Sequence, residues 1–338
     1  MKVGTYMLDM TKLKISVLIP CHNIEKLSYF SLKSVVKNKY PNLEIIVLND
    51  YSTDNTLKIL HDWAQKDKRI KVYDLQDYNQ HVGLGFNRDF LIQKATGDYF
   101  VFIDDDDKMS PKTIEEFVNS LDKDYDIVSS KVVYCFEIAK NIRVPLPNFL
   151  YFKNYDVDDP KDFFLHNPLF AWGRLIKKEY YLNICEKYNI RFSEHDYEDI
   201  RMTYLLFLSN PKHKFLNKKL FTYQMRKNSL SSRIIDWKER IDKVYNAYSQ
   251  TFSNIIKFNL LENEYQLLEL KNLFIICVYL TYYGLNKMVK HDQIKEFIKY
   301  CSFKIKKFKN TYKIDEKAKN KLSGISKIIY QNALRKYK

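Results

Sequence analysis

Apolar residues in the first third of this chain come in short, nearly continuous runs. ISVLI (Ile15 to Ile19), LEIIVL (Leu43 to Leu48), IKVY (Ile70 to Tyr73) and YFVFI (Tyr99 to Ile103) are continuous or nearly so, the pattern of parallel strands covered on both faces. Between them the spacing turns helical. Leu57, Leu60 and Ala64 fall at i, i+3 and i+7 after STDNT, in which Ser52 or Asp54 is a candidate cap. Ser110-Pro111 reads as an N-cap and first-turn pair ahead of the stripe Ile114, Phe117, Val118 and Leu121. Strand and helix alternate, which predicts an α/β fold whose mostly parallel sheet is sandwiched by helices. From Asn141 to Pro168 the pattern breaks around prolines 145, 147, 160 and 168, predicting an irregular segment over the sheet. Beyond about Ile235 helical periodicity with a lysine-rich polar face takes over, predicting a basic helical appendage over 235–338.

Composition sharpens this picture in two places. The 338 residues are 46% hydrophobic and 15% aromatic, enough for a packed core. The formal charge of +15 is concentrated late: Lys304 to Lys338 holds 12 Lys/Arg against 2 Asp/Glu. Such an excess suits nucleic acid, an anionic membrane surface or an acidic substrate. Basic residues that bind nucleic acid line one face of the folded domain, whereas these gather in a tail, so no nucleic-acid partner is expected. Five cysteines without a CxxC pair argue against a disulfide framework or thiolate metal site and for a reducing cytosol. The first thirteen residues lack the apolar core of a signal peptide. The apolar stretch Leu273 to Gly284 is shorter than the ~20 residues that span a bilayer. A cytoplasmic protein is expected, peripheral at the inner face of the membrane.

The candidate chemistry lies where the strands end. YFVFI runs straight into four consecutive aspartates, Asp104 to Asp107, and like charges so close call for a cation among them. An aspartate run before Ser-Pro can also be a solvated turn favoured by a helix dipole. The strand feeding this one is too apolar for a surface position, and two other strands end in matching polar clusters: PCHN (Pro20 to Asn23) and NDYSTDNT (Asn49 to Thr56). In an open α/β sheet one crevice at the carboxyl ends of the strands receives all three. A hard ion such as Mg²⁺ or Mn²⁺ needs only one or two carboxylates there, with substrate phosphates completing its shell. A second carboxylate pair, Glu198-Asp199 in YEDI, precedes the stripe Ile200, Thr203, Tyr204 and Phe207. Packed against Tyr197 and Phe192, a carboxylate there gains a raised pKa suited to taking a hydroxyl proton.

These motifs, in this order, resemble family 2 glycosyltransferases with the nucleotide-diphospho-sugar-transferase (GT-A) fold. ISVLIPCHN resembles the family's opening strand, IIVLNDYSTDNT its nucleoside-binding segment, and GLGFNRDFLIQKATGDYFVFIDDDD its Gly-x-x-x-x-Arg helix leading to the Asp-x-Asp motif. AWGRLIKKEYY, RFSEHDYEDIRM and LFTYQMRKNSLSS resemble the second half of bacterial members that build surface polysaccharides. The resemblance covers roughly residues 13 to 233 and implies a catalytic domain over 1–234, with a donor half (about 13–110) and an acceptor half (about 111–234). It assigns Asp50 to the nucleotide base and Arg88 to the donor-binding wall, with Pro20, Asn23 and Asp105 in the same donor site. Asp106 becomes the direct metal ligand and Asp104 faces the ribose or shares the metal, although in an all-aspartate run Asp105 or Asp107 fits either role. Asp199 is the implied base, with Glu198 as its alternate. Cys21 and Asp89 depart from the family's usual Thr and Asn.

The implied activity is hexosyl transfer from a nucleotide-sugar donor to a hydroxyl of a glycan or lipid-linked acceptor. A UDP-sugar is favoured, because Asp50 is suited to accept a hydrogen bond from uracil N3-H. With a single candidate base, one in-line displacement follows, inverting the anomeric carbon. A metal held by the aspartates would neutralise charge on the departing diphosphate. Trp172 is a candidate for stacking on an acceptor sugar, His195 for touching it, and Arg226 and Lys227 for meeting diphosphate oxygens. A sugar nucleotidyltransferase is the rival on a similar sheet, but such enzymes carry a glycine-rich basic loop where this chain reads PCHNIEK.

Overall fold

The structure, a computed structural model, describes residues 13–25, 28–78, 83–139, 142–145, 159–160, 170–192, 197–225, 236–260 and 291–312. The chain divides into two compact units, Met1–Ser229 and Leu230–Lys338. In the first, β1 (Ile15–Cys21) and β2 (Leu43–Asn49) are buried at every residue, as strands covered on both faces are, with Ser16 and Glu44 bonded to each other. β1 pairs in parallel with both β2 and β4 (Tyr99–Phe102), and β2 with β3 (Ile70–Asp74). The connections carry α1 (Ser28–Val35), α2 (Thr56–Lys66) and α3 (Leu84–Lys94).

The second half of this unit adds β5 (Lys108–Met109), α4 (Thr113–Asn119), β6 (Ile127–Ala139), β7 (Ile142–Pro145), β8 (Arg174–Lys177), α5 (Lys178–Tyr188), α6 (Glu198–Leu208) and β9 (His213–Met225). Sheet order is β3-β2-β1-β4-β8-β6-β9-β5, with β7 on β6. The sheet is mixed rather than mostly parallel: β8 runs antiparallel to both β4 and β6, β5 to β9, and β7 to β6. Parallel pairing joins β1, β2, β3 and β4 on one side of the sheet and recurs between β6 and β9 on the other. The irregular segment expected after Asn141 opens as strand β7, and most of the remainder lies outside the described residues.

Of two helix starts, the one at α4 differs from expectation. α4 begins at Thr113, whose N–H bonds the carbonyl of Ser110 (3.0 Å), because Met109 is still paired with Phe221 in the sheet and Ser110-Pro111 must turn the chain first. Thr56 opens α2 and donates its N–H to Asp54 Oδ1 (2.9 Å), so Asp54 supplies the capping oxygen.

Sheet geometry creates the crevice. β4 ends at Phe102 opposite Leu18, while β1 continues to Cys21 alongside β2. Pro20, which lacks an N–H, therefore sits where only β2 flanks it. The order of strands reverses at β1, with β2 and β3 on one side and β4 on the other, which is the topological switch point where such sheets bind ligands.

In the second unit, α7 (Trp237–Lys257) starts at Asp236, whose carboxylate accepts from the N–H groups of Lys238 (2.8 Å) and Glu239 (3.3 Å). Trp237, Ile241, Tyr245, Tyr248, Phe252 and Ile255 form its buried stripe. α8 (Ile294–Tyr312) packs Phe297 and Tyr300 edge-on to Trp237. Among the described residues no helix is long and apolar enough to cross a membrane.

Candidate active site

The loops after β1 and β2 are stitched together over the crevice. Asn23 donates its N–H to Ser52 Oγ (3.0 Å) and accepts from the Thr53 N–H (2.7 Å), while His22 Nδ1 lies 2.5 Å from the Asp50 carbonyl. The His22 N–H donates to Asp105 Oδ2 (3.2 Å), tying the β1 loop to the aspartate run. Asp50 is 9% exposed, and its Oδ2 accepts from Asn87 Nδ2 (2.8 Å). Asn87 was not singled out from sequence; its one available signal is its place directly before Arg88 in the Gly-x-x-x-x-Arg helix. Tyr51 (φ 48°) and Tyr197 (φ 60°) take the left-handed conformation that bulky residues rarely adopt, and each adjoins a site carboxylate.

The four aspartates do not share one environment. Asp104, Asp105 and Asp106 are half-buried, whereas Asp107 is 1% exposed. A tight turn, with the Asp107 N–H on the Asp104 carbonyl (3.1 Å), swings Asp107 inward, where its Oδ1 accepts from the Gln224 N–H of β9 (2.8 Å). Burial raises the Asp107 pKa well above the ordinary carboxylate value, and the charges of Asp106 and Asp104 add to this. Asp107 thus belongs to the β9 packing, which narrows the metal candidates to its three predecessors. Burial raises the Asp104 pKa against the pull of Arg88, and Asp106 and Asp199 push it further up.

Asp104 and Asp199 lie near enough to repel each other although they come from opposite halves of the unit. Arg88 bridges Asp104 to Glu198, the residue before Asp199. Its side chain is 3% exposed, with its guanidinium 5.8 Å from the Phe102 ring centre and 5.9 Å from that of Phe192. One terminal nitrogen donates to Asp104 Oδ1 (3.2 Å) and the other to Glu198 Oε1. Asp199, the second residue of α6, is half-buried and accepts the Ile200 N–H on Oδ1 (2.9 Å). Desolvation raises its pKa, while Arg88 and then the backbone N–H groups and Arg174 pull it down. Arg174, at the start of β8, was quoted within a motif but given no role. It is buried over Phe207 and bonded to the carbonyls of Phe170 and Trp172.

Trp172 does not offer a sugar platform. It is 3% exposed, stacked on Phe170 (4.8 Å) and Tyr223 (5.5 Å), so its faces belong to the core. Cys21 is buried, with Sγ 3.7 Å from the Ile19 carbonyl, and Asp89 accepts the Tyr181 hydroxyl. Both departures from the family pattern are satisfied inside the fold. His195, Arg226 and Lys227 lie outside the described residues.

The carboxylates fit a hard divalent ion. Asp104 and Asp106 supply oxygen donors at one strand end, where burial raises the Asp104 pKa and the charge of Asp106 adds to it against the pull of Arg88. Among the described residues no three His, Cys, Asp or Glu side chains converge on a metal position. A metal shared with a diphosphate needs no such cage, since one or two carboxylates suffice.

An open sheet with its crevice at the switch point, an aspartate run at one strand end and a facing carboxylate define the GT-A class. Residues 16–180 match the family described as glycosyl transferase family 2. The chain is 28% identical over 237 residues to a cholesterol galactosyltransferase of Borreliella burgdorferi, covering 66% of this chain and 63% of that protein. It is 29% identical over 230 residues to a processive diacylglycerol beta-glycosyltransferase of Mycoplasma genitalium, covering 65% and 66%. The chain thus spans less than two-thirds of the length of these relatives. Among solved structures, S. aureus TarS 1-349 in complex with UDP-GlcNAc superimposes with a TM-score of 0.66 over 96% of this chain and 88% of that one, at 18% identity.

Proposed function

We propose that this protein is an inverting, metal-dependent glycosyltransferase that moves a hexose from a nucleotide sugar, a UDP-sugar by preference, to a hydroxyl of a lipid-linked or glycan acceptor. The observation that carries the reading is that Arg88 bonds Asp104 at the strand end with one terminal nitrogen and Glu198, the neighbour of Asp199, with the other. A donor-side carboxylate and a base-side carboxylate from distant parts of the chain face one crevice. Asp50, held by Asn87, meets the edge of the nucleotide base, and Pro20 and Asn23 shape the wall beside it. Asp104 and Asp106 would hold Mn²⁺ or Mg²⁺. When bound, the metal neutralises the charge that builds on the departing diphosphate.

Asp199 takes the proton from the acceptor hydroxyl as that oxygen attacks the anomeric carbon on the face opposite the leaving group. A carboxylate whose pKa is raised by desolvation is a better base than an exposed one. The UDP preference draws support from the TarS complex. The lipid-linked acceptor draws support from relatives named for cholesterol and diacylglycerol substrates. The catalytic domain is assigned to 1–234 and a basic helical region to 235–338, the latter a means of holding the enzyme at the inner membrane surface.

The test is a panel of nucleotide sugars scored for Mn²⁺-dependent thermal stabilisation and donor hydrolysis. UDP-sugars should stabilise the protein only with the metal, and Asp106→Ala should abolish the effect. Normal UDP binding by Asp106→Ala in Mn²⁺ would remove it from the metal site, and indifference of the wild type to every nucleotide sugar would overturn the function.

A further inference from the structure

Arg88 and Glu198 arrive at the crevice from opposite sides with nothing in the sequence linking them. Arg88 lies on α3, one turn after Gly85. A Cβ at Gly85 would stand 2.2 Å from the Phe192 carbonyl and 2.9 Å from Glu198 Cγ, so α3 is pressed against the approach to α6 as closely as backbone permits. Within that contact the Arg88 guanidinium holds Glu198 with one terminal nitrogen and Asp104 with the other. Phe102, at the end of β4, and Phe192, ahead of α6, lie against it. Glu198 is 7% exposed in its side chain and Asp104 27%.

We infer that Arg88 and Glu198 are a positioning pair, in which Glu198 sets the register of Asp199 against the donor through Arg88 and Asp104 rather than serving as an alternate base. The reasoning is geometric. A base must reach the acceptor hydroxyl with a free carboxylate oxygen, and Glu198 is buried with Oε1 committed to a guanidinium. Asp199, its neighbour in the first turn of α6, is the half-buried member of the pair. A fork-shaped cation with two carboxylates on its two terminal nitrogens fixes the spacing between them, because guanidinium geometry is rigid where an ammonium is not. Donor side and base side are thereby set at one distance, the condition for an in-line displacement.

This inference rests on the proposed transfer reaction, and its test separates the two. With the donor identified by the nucleotide-sugar panel, kcat and UDP affinity in Mn²⁺ are measured for Glu198→Gln, Arg88→Lys, Arg88→Gln, Asp199→Asn and the double variant Arg88→Gln/Glu198→Gln, with unfolding midpoints for each. Glu198→Gln, which keeps the side-chain shape, should lose on the order of 10²-fold in kcat with UDP affinity within about threefold of wild type. The double variant should be no more than about threefold worse in kcat than the weaker single, because the two act as one unit. Arg88→Lys, which keeps the charge and loses the fork, should recover part of the Arg88→Gln loss. Additive losses in the double variant, or a lowered unfolding midpoint with unchanged kcat, would overturn the pairing while leaving the glycosyltransferase reading intact. Wild type that neither binds UDP nor turns over any nucleotide sugar would remove the reading itself, and the inference with it.

Discussion

At the scale of single residues, neighbours of the same chemical type divide into different tasks by burial. Asp107 and Asp106 are adjacent and identical, yet a one-turn reversal sends Asp107 to the Gln224 N–H and leaves Asp106 half-buried. Glu198 and Asp199 divide likewise, one bonded inward and the other kept near Asp104. If Asp199 is the base, Asp199→Asn should retain UDP affinity and lose transfer by roughly 10²- to 10⁴-fold, the usual size of a general-base contribution. The wild-type rate should fall as the pH drops through the Asp199 pKa, and that limb should lie above the ordinary aspartate value of 3.8 because desolvation raises it. A pH–rate profile alongside single-turnover kinetics of Asp199→Asn checks both. Unimpaired transfer by Asp199→Asn would move the base elsewhere. The carboxylates were legible in the sequence as clusters at element ends. Which member of each cluster turned inward was not, because that depends on a partner more than a hundred residues away: Gln224 for Asp107, Arg88 for Glu198.

At the scale of elements, what could be read depended on whether burial shows in the local pattern. The four N-terminal strands stand within two residues of their apolar runs, since a strand covered on both faces must be apolar throughout. β6 and β9 escaped notice because their residues interleave lysine, serine and asparagine with aromatics, as befits strands placed by tertiary pairing rather than by local propensity. The amino-terminal edge of the sheet, away from the crevice, shows how polar groups are accommodated there. Glu44 in β2 is 3% exposed, and its carboxylate accepts from Ser16 Oγ (2.6 Å), the Thr96 N–H (2.6 Å), Thr96 Oγ1 (2.9 Å) and Lys71 Nζ (2.8 Å). Burial by itself would raise its pKa, but the bonds from Lys71, Ser16 and Thr96 prevail and hold it at about 2, against an ordinary 4.5. A depressed folded pKa means that the stabilisation is complete above about pH 4.5 and is lost as the pH falls from there towards 2. Its size is on the order of 3 kcal/mol. Urea unfolding of Glu44→Gln against wild type should therefore show a gap at pH 7 that narrows steadily below pH 4.5. A gap independent of pH would assign the effect to packing instead.

At the scale of the whole molecule, charge is distributed by function rather than evenly. The acidic crevice belongs to the first unit, and the basic excess to the second, where Lys304 to Lys338 alone holds 12 Lys/Arg against 2 Asp/Glu. Most of that tail lies outside the described residues, but α8 shows how the charge is presented where the basic region begins. Lys295, Lys299, Phe303, Lys306 and Lys307 are all exposed, Phe303 at 57%, and helical spacing sets them on one side of the helix. The lone acid on this side, Glu296, is paired with Lys238. An exposed aromatic among lysines suits an anionic lipid surface, where each lysine contributes ~1 kcal/mol and the ring adds burial. Full-length protein should cosediment with phosphatidylglycerol-containing vesicles at low salt, leave them at high salt, and ignore pure phosphatidylcholine. Replacing Lys295, Lys299, Lys306 and Lys307 with glutamine in the intact chain should weaken vesicle binding by roughly 10²- to 10³-fold. UDP binding in Mn²⁺ should be unchanged, since these lysines belong to the second unit and the crevice residues to the first. Vesicle binding that survives both the fourfold replacement and high salt would show that charge on this helix is not what holds the protein to lipid.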